Sequence, residues 1–227
     1  EGEESMKPFI HLDAGREPVE PYCITRPKTV RHTAVVDGFS RAWEVYIPKS
    51  YDGASPCGLV IYVHGAGGFN PAKVPWSIIA EKEGFLVAYP EAVEPWLWNI
   101  WNLKTGEGAP DDVYFLDFMI TRLLEDYRID PSRIYMQGNS MGDNMVSTYA
   151  YEHGDRLAAI APTSGPTLPS VQCDGKGNYR MTPQKPQAVA RLHGDRDTKC
   201  GLPSTYGFSK AEFEAQITPK EQRALRS

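Results

Sequence analysis

Five short runs, at 59–63, 85–89, 133–136, 157–161 and 188–192, are apolar without the polar alternation of a strand that shows one face to water. Runs written this way belong to strands covered on both faces, the condition of a parallel sheet packed between helices. Helical patterns fill the intervals. "DDVYFLDFMITRLLEDY" opens on Asp111 and Asp112, whose carboxylates can cap free N–H groups, and repeats apolar residues at 116, 119, 120, 123, 124 and 127. That is one stripe at a period of 3.6. "MGDNMVSTYAYEHG" reads as a second helix stopped by Gly154. Before all of these, alternating runs flank Asp37-Gly38, a dipeptide that tolerates positive φ at both turn positions, so a hairpin starts the sheet as an antiparallel pair. The expectation is an α/β chain: a three-layer α/β/α sandwich around a mostly parallel sheet.

With 227 residues, 41% apolar and 23% charged, the chain can bury one full core. It divides into an extension at 1–29 and a single domain at 30–227, in which the Pro/Gly-rich stretch 163–187 is a long loop. Twenty-four basic and 29 acidic residues give a net charge of −5, and no Lys/Arg block offers a phosphate backbone a footprint, so no nucleic-acid partner is expected. No membrane partner is expected either, since the longest apolar stretches, 59–63 and 157–162, fall far short of the roughly 20 residues that span a bilayer. Cys23, Cys57, Cys173 and Cys200 lack C-x-x-C spacing, which removes zinc-ribbon and thioredoxin readings and leaves room for two disulfides. No cofactor or metal is expected. A sequence starting at Glu1, without a charged-then-apolar leader, fits either a mature secreted form or an artificially trimmed chain, and secretion is the expectation.

The stretch "RIYMQGNSMGDNM", 133–145, passes from strand through a glycine-flanked turn into helix. Gly138-Asn139-Ser140-Met141-Gly142 fits G-x-S-x-G, a turn that lifts a serine hydroxyl to the start of a helix as a nucleophile. Chance would supply the pattern in about one such chain in ten, and its place between strand and helix argues against chance. Acyl transfer also needs donors for the oxyanion. The run "VIYVHGAGG" ends a strand in Gly65, Gly67 and Gly68, where bare backbone can approach a substrate. The N–H groups of Ala66 and Met141 are the candidate donors, and His64 reads as a structural loop residue. After a later strand, "RLHGDRD" places Asp197 on a loop suited to the acid that orients a histidine, with Asp195 as its rival.

"VHGAGG", "YPEAVEPWLWNIWN", "DDVYFLDFMITRLLEDYRIDPSRIYMQGNSMG" and "RLHGDRD", in this order over residues 30 to 200, resemble the secreted α/β-hydrolase esterases that include feruloyl esterases, acetylxylan esterases and polyhydroxybutyrate depolymerases. The resemblance implies the α/β-hydrolase fold, Ser140 as nucleophile, Asp197 as acid, and Ala66 and Met141 as oxyanion donors. It implies a serine ester hydrolase working through an acyl-enzyme, on feruloyl or acetyl esters of plant cell-wall polysaccharide. Polyhydroxyalkanoate depolymerisation and non-catalytic carbohydrate binding are the alternatives. Two positions depart from the pattern: Asp143 replaces a second glycine after S-x-G, and Leu97 replaces a cysteine before the Trp-Asn pair. The second change leaves pairing of Cys173 with Cys200 by analogy insecure.

A third departure concerns the base. The fold orders its triad serine, acid, histidine, yet the histidines stand at 11, 32, 64, 153 and 193, all before Asp197. Three explanations stay open. The first is a truncated C-terminus that has lost the sheet's last strand and the histidine loop. The second is a triad of Ser140, Asp174 and His193. The third is an inactive relative, or a base recruited from a loop, such as His11 or His153. On the substrate side Trp96, Trp98 and Trp101 share one loop after a strand and can offer flat aromatic faces to a sugar or phenolic ring.

Overall fold

A computed structural model describes residues 28–68, 76–99, 110–165 and 188–190. The expected hairpin is formed by β1, Thr29–Val36, and β2, Phe39–Tyr46, paired antiparallel from Thr29↔Tyr46 to Val36↔Phe39. Asp37 and Gly38 take φ of 51° and 78°, a turn whose twist matches that of its strands. The other strands are β3, Cys57–Val63, β4, Leu86–Glu91, β5, Ile129–Asn139, β6, Ala159–Thr163, and β7, Ala188–Val189. They form one sheet in the order β1-β2-β4-β3-β5-β6-β7. β2 runs antiparallel to β4, and every pairing from β4 to β7 is parallel.

The continuous apolar runs have the reason expected of them in the centre of the sheet. All of β3 and all but the last residue of β4 are buried. Alternate side chains reach opposite layers. Leu59, Ile61 and Val63 pack with helices α2, Asp112–Asp126, and α3, Met141–His153, whereas Tyr62, Val87 and Tyr89 pack with Ala80 of helix α1, Trp76–Glu83. Towards the edge the coverage thins: Tyr135 of β5 is 39% exposed, and both residues of β7 are exposed.

The apolar stripe of α2 buries Leu116, Met119, Ile120 and Leu123 as its period requires, together with Val113 and Phe115. Asp111 is the cap, its carboxylate accepting from the Tyr114 N–H at 2.9 Å. Asp112 has another task. Its Oδ1 accepts from Arg41 of β2 at 2.6 Å and its Oδ2 from the Asn99 N–H at 2.6 Å, with the ion pair fully buried and the guanidinium 4.6 Å above the Phe115 ring. One carboxylate therefore joins a strand, a helix start and the loop after β4. Gly154 also differs from its expected role. It keeps φ at −60° and carries α3 into a 3-10 turn, Gly154–Arg156, closed by the Leu157 N–H on the Gly154 carbonyl.

Removing one partner of a buried ion pair strands the other charge, which costs about 3–5 kcal/mol, whereas neutralising both costs far less. Arg41→Met is therefore expected to lower the stability measured by urea unfolding by that amount. Arg41→Met with Asp112→Asn should recover a large part of it at an unchanged m-value.

Candidate active site

β5 meets α3 at Ser140, which takes φ 56° and ψ −120°, a conformation that costs a side-chain-bearing residue on the order of 1–3 kcal/mol. The two motif glycines explain how the turn is held. A Cβ on Gly138 would lie 2.1 Å from the Gly142 carbonyl oxygen, and one on Gly142 would lie 2.1 Å from the Val63 carbonyl oxygen. Neither position has room for a side chain, so G-x-S-x-G is here a statement about backbone packing. The turn is fastened by the Ser140 N–H donating to the Thr163 carbonyl at 2.9 Å and the Asp143 N–H donating to the Ser140 carbonyl at 3.0 Å. β3 connects onward to β4 on one side and lies against β5 on the other, so the half-buried Ser140 stands at the carboxyl end of the strands where their order reverses. Open α/β sheets bind ligands in that crevice.

The loop after β3 lies against this turn. A Cβ on Gly65 would come within 3.3 Å of the Ser140 Cβ and 3.2 Å of the Asn139 carbonyl oxygen. Ala66 is exposed beside it, and Met141 opens α3, where N–H groups have no acceptor within the helix. The Gly67 N–H is already engaged, donating to the Trp96 carbonyl at 3.1 Å. Both proposed donors thus belong to segments that meet at Ser140.

The tryptophans separate. Trp96 is 45% exposed, has φ 60°, and lays its ring on Gly68, with Cγ 3.3 Å from where a Cβ would be. Trp98 is 2% exposed and donates from Nε1 to the His64 carbonyl at 2.8 Å, so it anchors the loop and offers no open face. Trp101 and Asp197 lie outside the described residues, as do Asp174, Asp195, His11 and His193. Among the described residues no group of three or more His, Cys, Asp or Glu could hold a metal ion. Cys57, the one described cysteine, is a buried free thiol whose pKa burial raises.

The three described histidines are all committed away from the serine. His64 is buried, and its Nε2 accepts the Ala92 N–H at 3.1 Å, which puts the ring proton on Nδ1, 2.6 Å from the Gly65 carbonyl. A ring with both nitrogens so used has no lone pair to offer Ser140. His32 stacks on Trp43 and bonds the Tyr127 hydroxyl at 3.0 Å, and its strand lies four spacings from β5, roughly 19 Å. His153 ends α3, roughly 18 Å along the helix from its start, stacked on Tyr149. Recruitment of His153 as the base is thereby removed by distance.

No protein-family model matches the chain. A bifunctional acetylxylan esterase/xylanase of Neocallimastix patriciarum is 26% identical over 187 residues, 81% of this chain and 25% of that protein. Acetylxylan esterase A of Aspergillus awamori is 26% identical over 129 residues, 53% of this chain and 41% of that protein. Among solved structures, the acetyl xylan esterase of Aspergillus awamori superposes with a TM-score of 0.62 at 16% identity, covering 80% of this chain and 82% of that one. The poly(3-hydroxybutyrate) depolymerase LpqC of Bordetella parapertussis also gives 0.62, at 14% identity, over 83% and 72%. The chain is thus similar in sequence to proteins named as esterases and shares its fold with solved esterase structures. It spans 25% to 58% of the length of the first curated relatives it matches. No described helix is long and apolar enough to cross a membrane.

Burial holds the His64 pKa below its ordinary 6.5. A group whose pKa is depressed on folding contributes fully above the unfolded value and loses that contribution as pH falls below it. Thermal midpoints are therefore expected to drop from about pH 7 to about pH 5, and less steeply in His64→Gln, as calorimetry across that range would show.

Proposed function

We propose that this chain is a serine ester hydrolase acting on acetyl or feruloyl esters of plant cell-wall polysaccharide. The observation that carries the reading is Ser140 held at the strand-to-helix turn beside the glycine-walled loop 64–68. In this reading the Ser140 oxygen attacks the acyl carbon as its proton passes to a base. The oxyanion is met by the N–H groups of Ala66 and Met141, and the alcohol leaves with the proton. Water then releases the acid from the acyl-enzyme by the reverse set of transfers. Asp197 is assigned as the acid that orients the base. Among the described histidines, His32, His64 and His153 are set aside for that role.

The names of the Neocallimastix and Aspergillus relatives support the acetylxylan side of the reading. The exposed ring of Trp96, beside loop 64–68, suits the apolar face of a sugar or a feruloyl ring, and Trp101 is assigned with it. An extracellular location goes with such a substrate. A non-catalytic carbohydrate-binding relative is the rival reading, favoured by the commitment of three histidines away from Ser140. Polyester is the third substrate, supported by likeness of fold alone.

A fluorophosphonate probe is expected to modify Ser140, identified by peptide mass, and to leave Ser140→Ala unmodified. Hydrolysis of p-nitrophenyl acetate, methyl ferulate and acetylated xylan should exceed that of polyhydroxybutyrate, and Ser140→Ala should lower it by about 10⁴-fold or more. A chain that binds xylan yet neither takes the probe nor turns over any ester would establish the rival.

A further inference from the structure

Asp143 is fully buried in the first turn of α3. Its side chain turns sideways to the chain leaving β6, where Oδ2 accepts the Gly165 N–H at 2.9 Å. The contact is fitted on both sides: a Cβ on Gly165 would fall 2.4 Å from both the Cβ and the Cγ of Asp143. Between Thr163, whose carbonyl takes the Ser140 N–H, and Gly165, the half-buried Ser164 is turned to φ 54°. The exit of β6 is therefore tied to α3 at two points that flank one residue in the left-handed region.

The two ties depend on different things. The first belongs to the serine turn, held by the close approach of Gly138, Gly142 and the Val63 carbonyl and by backbone hydrogen bonds, that of the Asp143 N–H among them, rather than by the Asp143 side chain. The second runs through the Asp143 carboxylate. β5 lies between β3 and β6, so loop 64–68 and the segment Thr163 to Gly165 stand on opposite flanks of Ser140. One flank supplies the proposed oxyanion donor. The other carries Ser164 and Gly165 at the exit of β6.

We propose that Asp143 is a positioning residue that holds Ser164 and Gly165 as the β6-side wall of the cleft at Ser140, and so limits the size of the ester group accepted there. The inference rests on the ester-hydrolase reading and adds a determinant of its specificity. Without the carboxylate the wall would lose this tie, and the cleft would admit larger groups.

The test compares p-nitrophenyl acetate with p-nitrophenyl butyrate. Asp143→Gly is expected to shift the ratio of kcat/KM by about tenfold towards butyrate, the scale of one lost charge-assisted hydrogen bond, with the change carried by KM. Asp143→Asn, whose amide oxygen can still accept from Gly165, should keep the wild-type ratio. Gly165→Ala, which displaces the wall by collision, should shift the ratio by itself and add nothing in the Asp143→Gly background. If Asp143→Gly folds poorly, Gly165→Ala and Asp143→Asn still decide the matter. Equal losses on both esters with an unmoved ratio would overturn the proposal in favour of a purely structural carboxylate. A wild type that fails to take the fluorophosphonate at Ser140 would overturn the hydrolase reading and this inference with it.

Discussion

Backbone lies on backbone where β3, β5 and α3 converge. Gly142 comes so close to the carbonyls of Val63 and His64, and Gly138 so close to Gly142, that a single methyl group at either place would have to occupy space already filled. That approach lets a helix start directly on the carboxyl edge of the sheet. The strained Ser140 and the first-turn N–H of Met141 follow from it, because a helix standing a side chain's width further out would meet neither the Thr163 carbonyl nor Gly65. The partial positive charge of the helix N-terminus is thereby brought to the hydroxyl.

Around this contact the polar groups of two loops satisfy one another. His64 accepts from Ala92 and donates to Gly65, its carbonyl receives the Trp98 indole N–H, and the Trp96 carbonyl receives the Gly67 N–H. A neutral imidazole serves here as a strut between loop 64–68 and the segment 92–99. Polar groups joined in this way support one another, so the two loops are coupled in position. The Asn99 N–H on Asp112 extends the coupling to α2 and, through Arg41, to the hairpin.

The features legible in the sequence are those written within a short window. Asp37-Gly38 announces its turn, the runs of β3 and β4 announce their double coverage, and the strand–glycine–serine–glycine–helix order announces the elbow, because each is a local pattern with a local cause. What was missed depends on contacts between distant residues. Arg41 and Asp112 are 71 positions apart, and Asp112 looks like a cap until its partner is placed. Trp96 and Trp98 are indistinguishable in sequence. One is covered because its N–H has the His64 carbonyl to meet, and the other is exposed because its backbone turns to positive φ. Asp143 reads in sequence as an acidic residue suited to a helix start, and its partner Gly165 lies 22 residues further on. The expectations at Asp197 and Trp101 fall outside the described residues.

From Gly142 to Ala150 every residue of α3 is enclosed. A rod with no wetted side cannot rotate, slide or accept bulk, so sequence drift within it is confined to swaps that conserve volume. Evolution of new preferences on this frame has to proceed at the rim, in stretches such as 92–99 and 163–165, while the part that carries the hydroxyl is inherited almost as a fixed casting.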